Sequence, residues 1–507
     1  SNINSLEKLF RRKGYTDLPF ISTFGMTTRE TAVKKTMSME GLSALGSVSM
    51  GETEVCLDCS TEDEAIMTYP LLLAALVSML SQFLVGYNTS VMNAPQLVVF
   101  PGHTIAQWSL AVSAFAIGGP FGAVAGGFIA NRRGRKGALL LTCWIFLVGG
   151  LVMGLAQNVY WLLPGRFLVG FASGLSSVVV PVYLGEIAPP TLRGTLGTCT
   201  QFALVIGILF SSIVAFPLAT EQRWRYLFLL TPILCVLQLG LSSFLLESPR
   251  WLLSGDPQSI NARHVIRKLR GFRHESDVNE EVSNFLSASI VHKTSRPSAH
   301  SSGAMWDLLT SKHHRTLLVA AIGLQMSQQL CGINAVFYYS TAFFDGILDD
   351  PLMGTCLVNA VNVAATFVAM KLMDRAYRRT LLLWSSGGMM LSCLLLTAAS
   401  LGYTQKTTAL VAVMLFVTFF EIGLGPIPWL ITTEYFDSKY VATAMSLACI
   451  VNWGCNFLVG LLFPYMQAYM GAWTFLPFAC VLAVTFAFTL LYVPESYGRT
   501  VEELYRL

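Results

Sequence analysis

Charge is what this chain has least of. Asp, Glu, Lys and Arg together make up 12% of its 507 residues, about half the share usual in a soluble domain. That scarcity excludes an ordinary water-soluble globule. The net charge of +4 is too small to argue for nucleic acid. Nowhere do a nucleophile, a base and an orienting group converge, and no glycine-rich phosphate loop is present, so an enzyme is not expected. Paired metal-ligand cysteines are missing too. Cys56-Leu57-Asp58-Cys59 has half the spacing of a zinc site, but no second pair or histidine cluster accompanies it. No metal or other cofactor is expected. Most of the eleven cysteines lie in apolar runs, as Cys143, Cys235, Cys393 and Cys480 do, and read as small hydrophobes. The first apolar run starts too late for a signal peptide and is long enough to span a bilayer.

What is abundant is uninterrupted apolar sequence. Hydrophobic residues reach 54%, and Leu71 to Val85, Leu139 to Ala156 and Phe475 to Val493 carry no charge at all. Such runs fit a hydrocarbon layer about 30 Å thick. Twelve candidate spans start near positions 68, 106, 138, 160, 195, 224, 316, 352, 380, 407, 440 and 471. With both termini in the cytosol, the inner loops hold Arg132, Arg133, Arg135, Lys136, Arg193, the cluster from Arg250 to Arg315, Arg375, Arg378 and Arg379. The outer loops keep little beyond Arg223, Arg225 and Lys406. That bias sets the orientation. The expectation is an all-α, multi-pass protein embedded in the lipid bilayer.

The chain divides unevenly. Residues 1–65 are polar and aperiodic and read as a disordered cytosolic tail with partners of its own, not identifiable from its sequence. Residues 249–315 form a basic insert between the sixth and seventh spans, with short amphipathic helices expected at 260–272 and 278–288. The flanking segments, 66–248 and 316–493, read as two six-helix bundles, and 494–507 as a short cytosolic tail. Internal duplication supports this division. Asn131-Arg132-Arg133-Gly134-Arg135-Lys136 recurs as Asp374-Arg375-Ala376-Tyr377-Arg378-Arg379, 243 positions on. Glu186 recurs as Glu434 and Glu247-Ser248 as Glu495-Ser496, both 248 positions on. Duplicated halves of this kind place a solute site between them near mid-membrane and alternate its access by rocking.

Gln328-Gln329-Leu330-Cys331-Gly332-Ile333-Asn334-Ala335-Val336-Phe337-Tyr338-Tyr339-Ser340-Thr341 is the most polar uncharged stretch within a span. Gln328, Asn334 and Tyr338 fall on roughly one side of a helix. A span tolerates so much hydrogen-bonding capacity only against protein or a water-filled cavity. Neutral amides suit a neutral, hydroxyl-rich solute, since an amide pairs donor and acceptor with two neighbouring hydroxyls.

Together with Gly165-Arg166-Phe167, Pro181-Val182-Tyr183-Leu184-Gly185-Glu186-Ile187-Ala188-Pro189, Glu247-Ser248-Pro249-Arg250-Trp251-Leu252, Gly425-Pro426-Ile427-Pro428-Trp429 and Val493-Pro494-Glu495-Ser496, this run resembles the sugar porter family of the major facilitator superfamily. The resemblance covers about residues 68–500 and is nearest to the facilitative glucose transporters. It implies a hexose, D-glucose above all, held by Gln201, Gln328, Gln329, Asn334, Asn362, Glu421, Trp429 and Asn456. Tyr338, Tyr339, Trp453, Pro426 and Pro428 would gate it. The plainer readings are interhelical hydrogen bonds for single amides, as for Asn359, a helix brace for Glu421, and packing for the two tyrosines. The glycines and prolines from Gly423 to Pro428 predict a break.

Charges at the inner ends of the spans form a second group: Arg132, Arg133, Arg135, Glu186, Arg193, Glu247, Arg250, Asp374, Arg378, Arg379, Glu434, Glu495 and Arg499. Their symmetry across the repeat suggests a latch between the halves, closed when the carrier faces outward. Departures from the family at Tyr377, Leu424 and Val441 bear on that latch. Proton-coupled relatives carry an aspartate in the first span near a fourth-span arginine. Here Asn88 and Arg166 occupy those positions, and an amide cannot titrate. Facilitated diffusion at the plasma membrane is therefore expected. The alternatives are a proton-coupled sugar symporter, with Glu421 as its protonation site, and a sugar sensor that hardly transports.

Overall fold

The computed structural model describes residues 67–294, 308, 310–345, 347–373, 375–436, 440–497, 499 and 501–504. The expected tail at 1–65, with Cys56 and Cys59, lies outside them, as do Asp374 and Lys439. Among the described residues the chain is helical, with a lone two-residue bridge, Asp345 to Leu348, as its only β-type pairing.

The helices are α1 (Tyr69–Ser90), α2 (Ile105–Gly154), α3 (Val159–Ile187), α4 (Arg193–Leu218), α5 (Trp224–Gly240), α6 (Pro249–Gly255), α7 (Ile260–Arg270) and α8 (Glu275–Thr294). After the insert come α9 (Lys312–Leu330), α10 (Ile333–Phe344), α11 (Pro351–Met373), α12 (Arg378–Ser400), α13 (Lys406–Ile422), α14 (Ile427–Glu434), α15 (Val441–Met470), α16 (Leu476–Tyr492) and α17 (Val501–Leu504). Ten helical segments are long and apolar enough to cross a bilayer, and the 17-residue α16 is a shorter one. The 50-residue α2 folds back at Gly134, whose φ of +80° interrupts the helix, so it supplies two spans. The count of twelve read from hydropathy is recovered.

Local signals start these helices where the sequence offers them. Thr104 and Gln107 bond reciprocally as a capping box ahead of α2, Asn158 caps α3 and Ser248 caps α6. Each such cap contributes about 1 kcal/mol. Packing inside the bundle relies on glycine. A Cβ at Gly122 would lie 1.8 Å from the Phe171 carbonyl oxygen, and one at Gly174 would lie 1.9 Å from that of Gly119. The backbones of α2 and α3 therefore touch, the close approach that small residues allow between membrane helices.

In the described part of the insert, α7 and α8 lie at or near the stretches 260–272 and 278–288. Leu253, Ala262, Ile266, Val278 and Val282 give it a small core of its own. Arg270 fastens it to the membrane domain through the carbonyls of Ile187, at 2.6 Å, and Ala188, at 3.3 Å. Burial holds that guanidinium below its usual value, and Glu281 beside it offsets part of the effect.

The first six spans meet the last six along two seams, α2 against α15 and α4 against α11. A third tie sits on the side away from the basic loops. Asn93, just after α1, donates to the Phe337 carbonyl at 3.0 Å and the Ser340 hydroxyl at 2.8 Å, and accepts from the Thr341 amide at 3.0 Å.

Candidate functional site

Two helix breaks build the candidate site. The first interrupts the seventh span between α9 and α10, where Gly332 adopts φ +93°, a conformation side-chain-bearing residues avoid. A Cβ there would also strike the Phe478 ring, at 2.8 Å. The expectation of one continuous helical face through Gln328, Asn334 and Tyr338 is thus corrected, because the backbone turns between Leu330 and Ile333. The row survives by another route: Gln328 and Tyr338 bond to α15 directly, and Asn334 bonds to Gln329, which does.

The second break lies between α13 and α14. Gly423, Gly425, Pro426 and Pro428 interrupt the helical ladder as the sequence predicts, leaving backbone groups to be satisfied by other means. The Leu424 amide donates to the Ser385 hydroxyl at 3.0 Å. The Gly425 carbonyl accepts from the Gln328 amide at 2.5 Å. One break therefore supplies an acceptor to the other segment.

Around this point the amides bond to one another. Asn452 donates to Gln328 Oε1 at 2.6 Å and to Gln325 Oε1 at 2.7 Å, and accepts from Gln329 Nε2 at 3.0 Å. Asn334 donates to Gln329 Oε1. One helical turn along α15, Asn456 accepts from the Tyr338 hydroxyl at 3.0 Å, and a further turn on, the Gly460 carbonyl accepts from Tyr339 at 2.7 Å. Residues 452, 456 and 460 recur every four positions and so share a face. All of these side chains are buried. Sequence reasoning missed Asn452 and Gln325. The four-residue spacing of Asn452 and Asn456, and the three-residue spacing of Gln325 and Gln328, were the available signals.

Other expected site residues take no part in this hydrogen-bonded cluster. Asn362 on α11 is fully buried, and neither of its amide atoms has a partner in the protein. A buried unpaired amide is costly to keep, so Asn362 is the clearest candidate to receive a solute. Asn359 follows the plainer reading and donates to Ser212 of α4 at 2.7 Å. Glu421, at the end of α13, is buried beside the Thr366 hydroxyl and forms no ion pair among the described residues. Trp429 is half-buried in the first turn of α14, and Gln201 is half-buried on α4, outside the amide cluster. Trp453 packs its ring on Gly119 and against Phe115, with centroids 5.9 Å apart, so it belongs to the α2–α15 seam.

Arg166 is fully buried and forms no ion pair among the described residues. Its guanidinium donates to the backbone carbonyls of Asn88, at 2.6 Å, and Val112, at 3.2 Å, and covers the Phe115 ring at 4.7 Å. The Asn88 side chain turns elsewhere, donating to the Leu84 carbonyl at 2.9 Å and accepting from Thr231 at 3.2 Å.

The charged ends repeat as the sequence does. Arg135 makes a two-pronged pair with Glu186, both bonds at 2.7 Å, while Glu247 accepts from the Arg135 and Lys136 amides. In the second half Arg378 pairs with Glu434 at 3.2 Å, while Glu495 accepts from the Arg378 and Arg379 amides. Tyr183 and Tyr435 each donate to a backbone carbonyl beside the corresponding glutamate, both at 2.8 Å. Every one of these ion pairs closes within its own set of six spans. Arg193 and Arg499 are exposed and Arg250 is half-buried. Arg132 and Arg133 form no ion pair among the described residues.

The duplicated clamps, the two broken spans and the buried amide cluster accompany a specific sequence match. The family model described as "Sugar (and other) transporter" matches residues 73–507. The chain belongs to that family. The dog and human proteins named "Solute carrier family 2, facilitated glucose transporter member 3" are each 37% identical to it over 466 residues, covering 87% of this chain and 92% of theirs. Among solved structures, the fold is similar to a partially occluded inward-open conformation of the xylose transporter XylE from E. coli. That match has a TM-score of 0.72 and 25% identity, covering 85% of this chain and 99% of the other. The proton:xylose symporter XylE bound to 6-bromo-6-deoxy-D-glucose is similar with a TM-score of 0.68 and 25% identity, covering 86% and 98%. This sugar porter is accordingly a multi-pass, twelve-helix transporter of the major facilitator superfamily and not an enzyme.

Proposed function

We propose that this sugar porter carries D-glucose or a closely related hexose by facilitated diffusion, alternating access between two six-helix halves (66–248 and 316–493). The observation carrying this reading is the buried cluster of uncharged amides, Gln328, Gln329, Asn334 and Asn452, together with the buried, unpaired Asn362. In the absence of solute these amides satisfy one another. A hexose offers hydroxyls that both donate and accept, so bonds can be exchanged without leaving a buried group unpaired. An ion offers no such exchange. Trp429 presents a flat apolar face to the sugar's C–H surface, and Gln201 is the contribution of the other half. The similarity to facilitated glucose transporters supports the same substrate class.

Uniport rather than symport follows from Asn88. A proton-coupled site needs a carboxylate that titrates against the buried Arg166. Here the two terminal nitrogens of Arg166 bond to backbone carbonyls and its plane covers the Phe115 ring, with no titrating carboxylate at position 88.

In this reading the Asn93 tie closes the outer side, and Tyr338 and Tyr339 stand in the closing segment. The clamps at Glu186, Glu247, Glu434 and Glu495, with their arginines, brace each half. They pair across the halves when the carrier faces outward. The insert and both termini are cytosolic, and the protein resides in the plasma membrane.

Uptake of labelled D-glucose into cells expressing Gln328→Ala or Trp429→Ala tests the site. The expected result is loss of uptake with normal amounts of protein at the surface. Undiminished uptake in either variant would remove that residue from the site.

A further inference from the structure

Beyond transport, the bend at Gly134 creates a second site, on the lipid-facing surface. The two arms of α2 diverge there and leave a groove of about 460 Å³ lined by Phe128, Ile129, Arg132, Arg133 and Leu141. Its shape is fixed, because Gly134 holds φ +80° and the Glu247 carboxylate clamps the following backbone amides. The neighbouring Arg135 is fully engaged with Glu186. Arg132 and Arg133 are exposed and form no ion pair among the described residues.

The groove continues an apolar stripe. Phe121, Val124 and Phe128 are 60%, 64% and 66% exposed, and Arg132 follows Phe128 by four residues on the same helix face. In a bilayer the aromatic and aliphatic part of such a stripe meets acyl chains. The guanidiniums at its end reach the headgroup layer. We propose that this groove binds one anionic phospholipid from the leaflet on the basic side. Its phosphate would sit between Arg132 and Arg133, and an acyl chain would lie along Phe128, Ile129 and Leu141. Charge complementarity argues for this occupant. Two unpaired guanidiniums above an apolar trough match a ligand with an anionic head and an apolar tail, and disfavour a zwitterionic lipid or a free sugar.

The test is native mass spectrometry of the full chain released from vesicles of equal phosphatidylserine and phosphatidylcholine. Wild type is expected to retain phosphatidylserine preferentially, and Arg132→Gln with Arg133→Gln to lower that preference about thirtyfold, two basic contacts being lost. Arg132→Lys with Arg133→Lys keeps the charge and most of the preference, and also serves if the glutamine variant does not fold. Lys268→Gln with Arg273→Gln removes the same charge from the insert and is expected to change nothing. Absence of a preference in wild type would overturn the proposal, as would equal loss in the insert variant. Displacement of the lipid by inorganic phosphate would also overturn it, marking a site for soluble anions instead.

Discussion

Replacing Asn452 with leucine separates a pre-organised amide site from one that merely contains amides. The Asn452 carboxamide makes bonds of 2.6, 2.7 and 3.0 Å to Gln328, Gln325 and Gln329. Leucine has nearly the same size and can make none of them. Gln328 keeps its bond to the Gly425 carbonyl, and Gln329 keeps Asn334, so neither side chain is lost from the site, but each loses the partner that fixes its other end. Ordering a freed side chain on binding costs roughly 0.5–1.5 kcal/mol. Two glutamines therefore raise the apparent KM for D-glucose about fivefold to 150-fold, at about 1.4 kcal/mol per tenfold. The unpaired amides also lower stability, by about 1–3 kcal/mol. The assay is the concentration dependence of D-glucose uptake in proteoliposomes, with a thermal melt of the same preparation. A KM within twofold of wild type, with the melting midpoint lowered, would refute the reasoning. Asn452 would then hold helices together without shaping the site.

Three further outcomes are expected. Asn88→Asp puts a carboxylate on the residue whose backbone carbonyl binds Arg166. The lost amide donor frees the side chain from the Leu84 carbonyl, and once turned to Arg166 the carboxylate is favoured in its ionised form and protonated by acid. Uptake by that variant should then vary with external pH over roughly pH 4–7, while wild type stays flat, and a flat variant would remove Asn88 from the coupling argument. Gly122→Val forces a branched side chain into the Phe171 carbonyl, 1.8 Å from the ideal Cβ position. It should cost more than about 3 kcal/mol and strip the folded protein from detergent extracts. Recovery of monodisperse protein at the wild-type level would mean the α2–α3 contact is slack. Tyr338→Phe removes the 3.0 Å bond to Asn456, worth about 1 kcal/mol. The melting midpoint should fall accordingly, and a raised KM for glucose is expected besides if the tyrosine orders the site; an unchanged KM would leave Tyr338 as packing.

Much of this was legible in the sequence because the bilayer restricts the choices. An uncharged apolar run of fifteen to eighteen residues has little option but to cross as a helix, so Leu71 to Val85 and Leu139 to Ala156 announced themselves. The clamps were legible as charges repeating about 248 positions apart. Their pairing was not, because that Arg135 meets Glu186 within one half depends on how spans three and four close together. The Gly423 to Pro428 break could be read from residue types. The break at Gly332 could not, since an isolated glycine in an apolar run says nothing about its φ, and the amide row passed for one helix. Asn452 escaped for a related reason. Its role comes from facing Gln325, Gln328 and Gln329, more than a hundred residues away, and no local motif surrounds it. Nor could the sequence show that Asn456 is bonded by the Tyr338 hydroxyl in this structure.

The central claim is passive carriage of a hexose, with Asn88 as the reason no proton is needed. Uptake of radiolabelled D-glucose into proteoliposomes of the purified protein tests it most directly. It should be measured with and without an inward proton gradient, with L-glucose and fructose as competitors. The account predicts uptake that ignores the gradient, stops at equilibrium and is not inhibited by L-glucose. Accumulation above equilibrium driven by the gradient would contradict it and move the proton site to Glu421 or elsewhere.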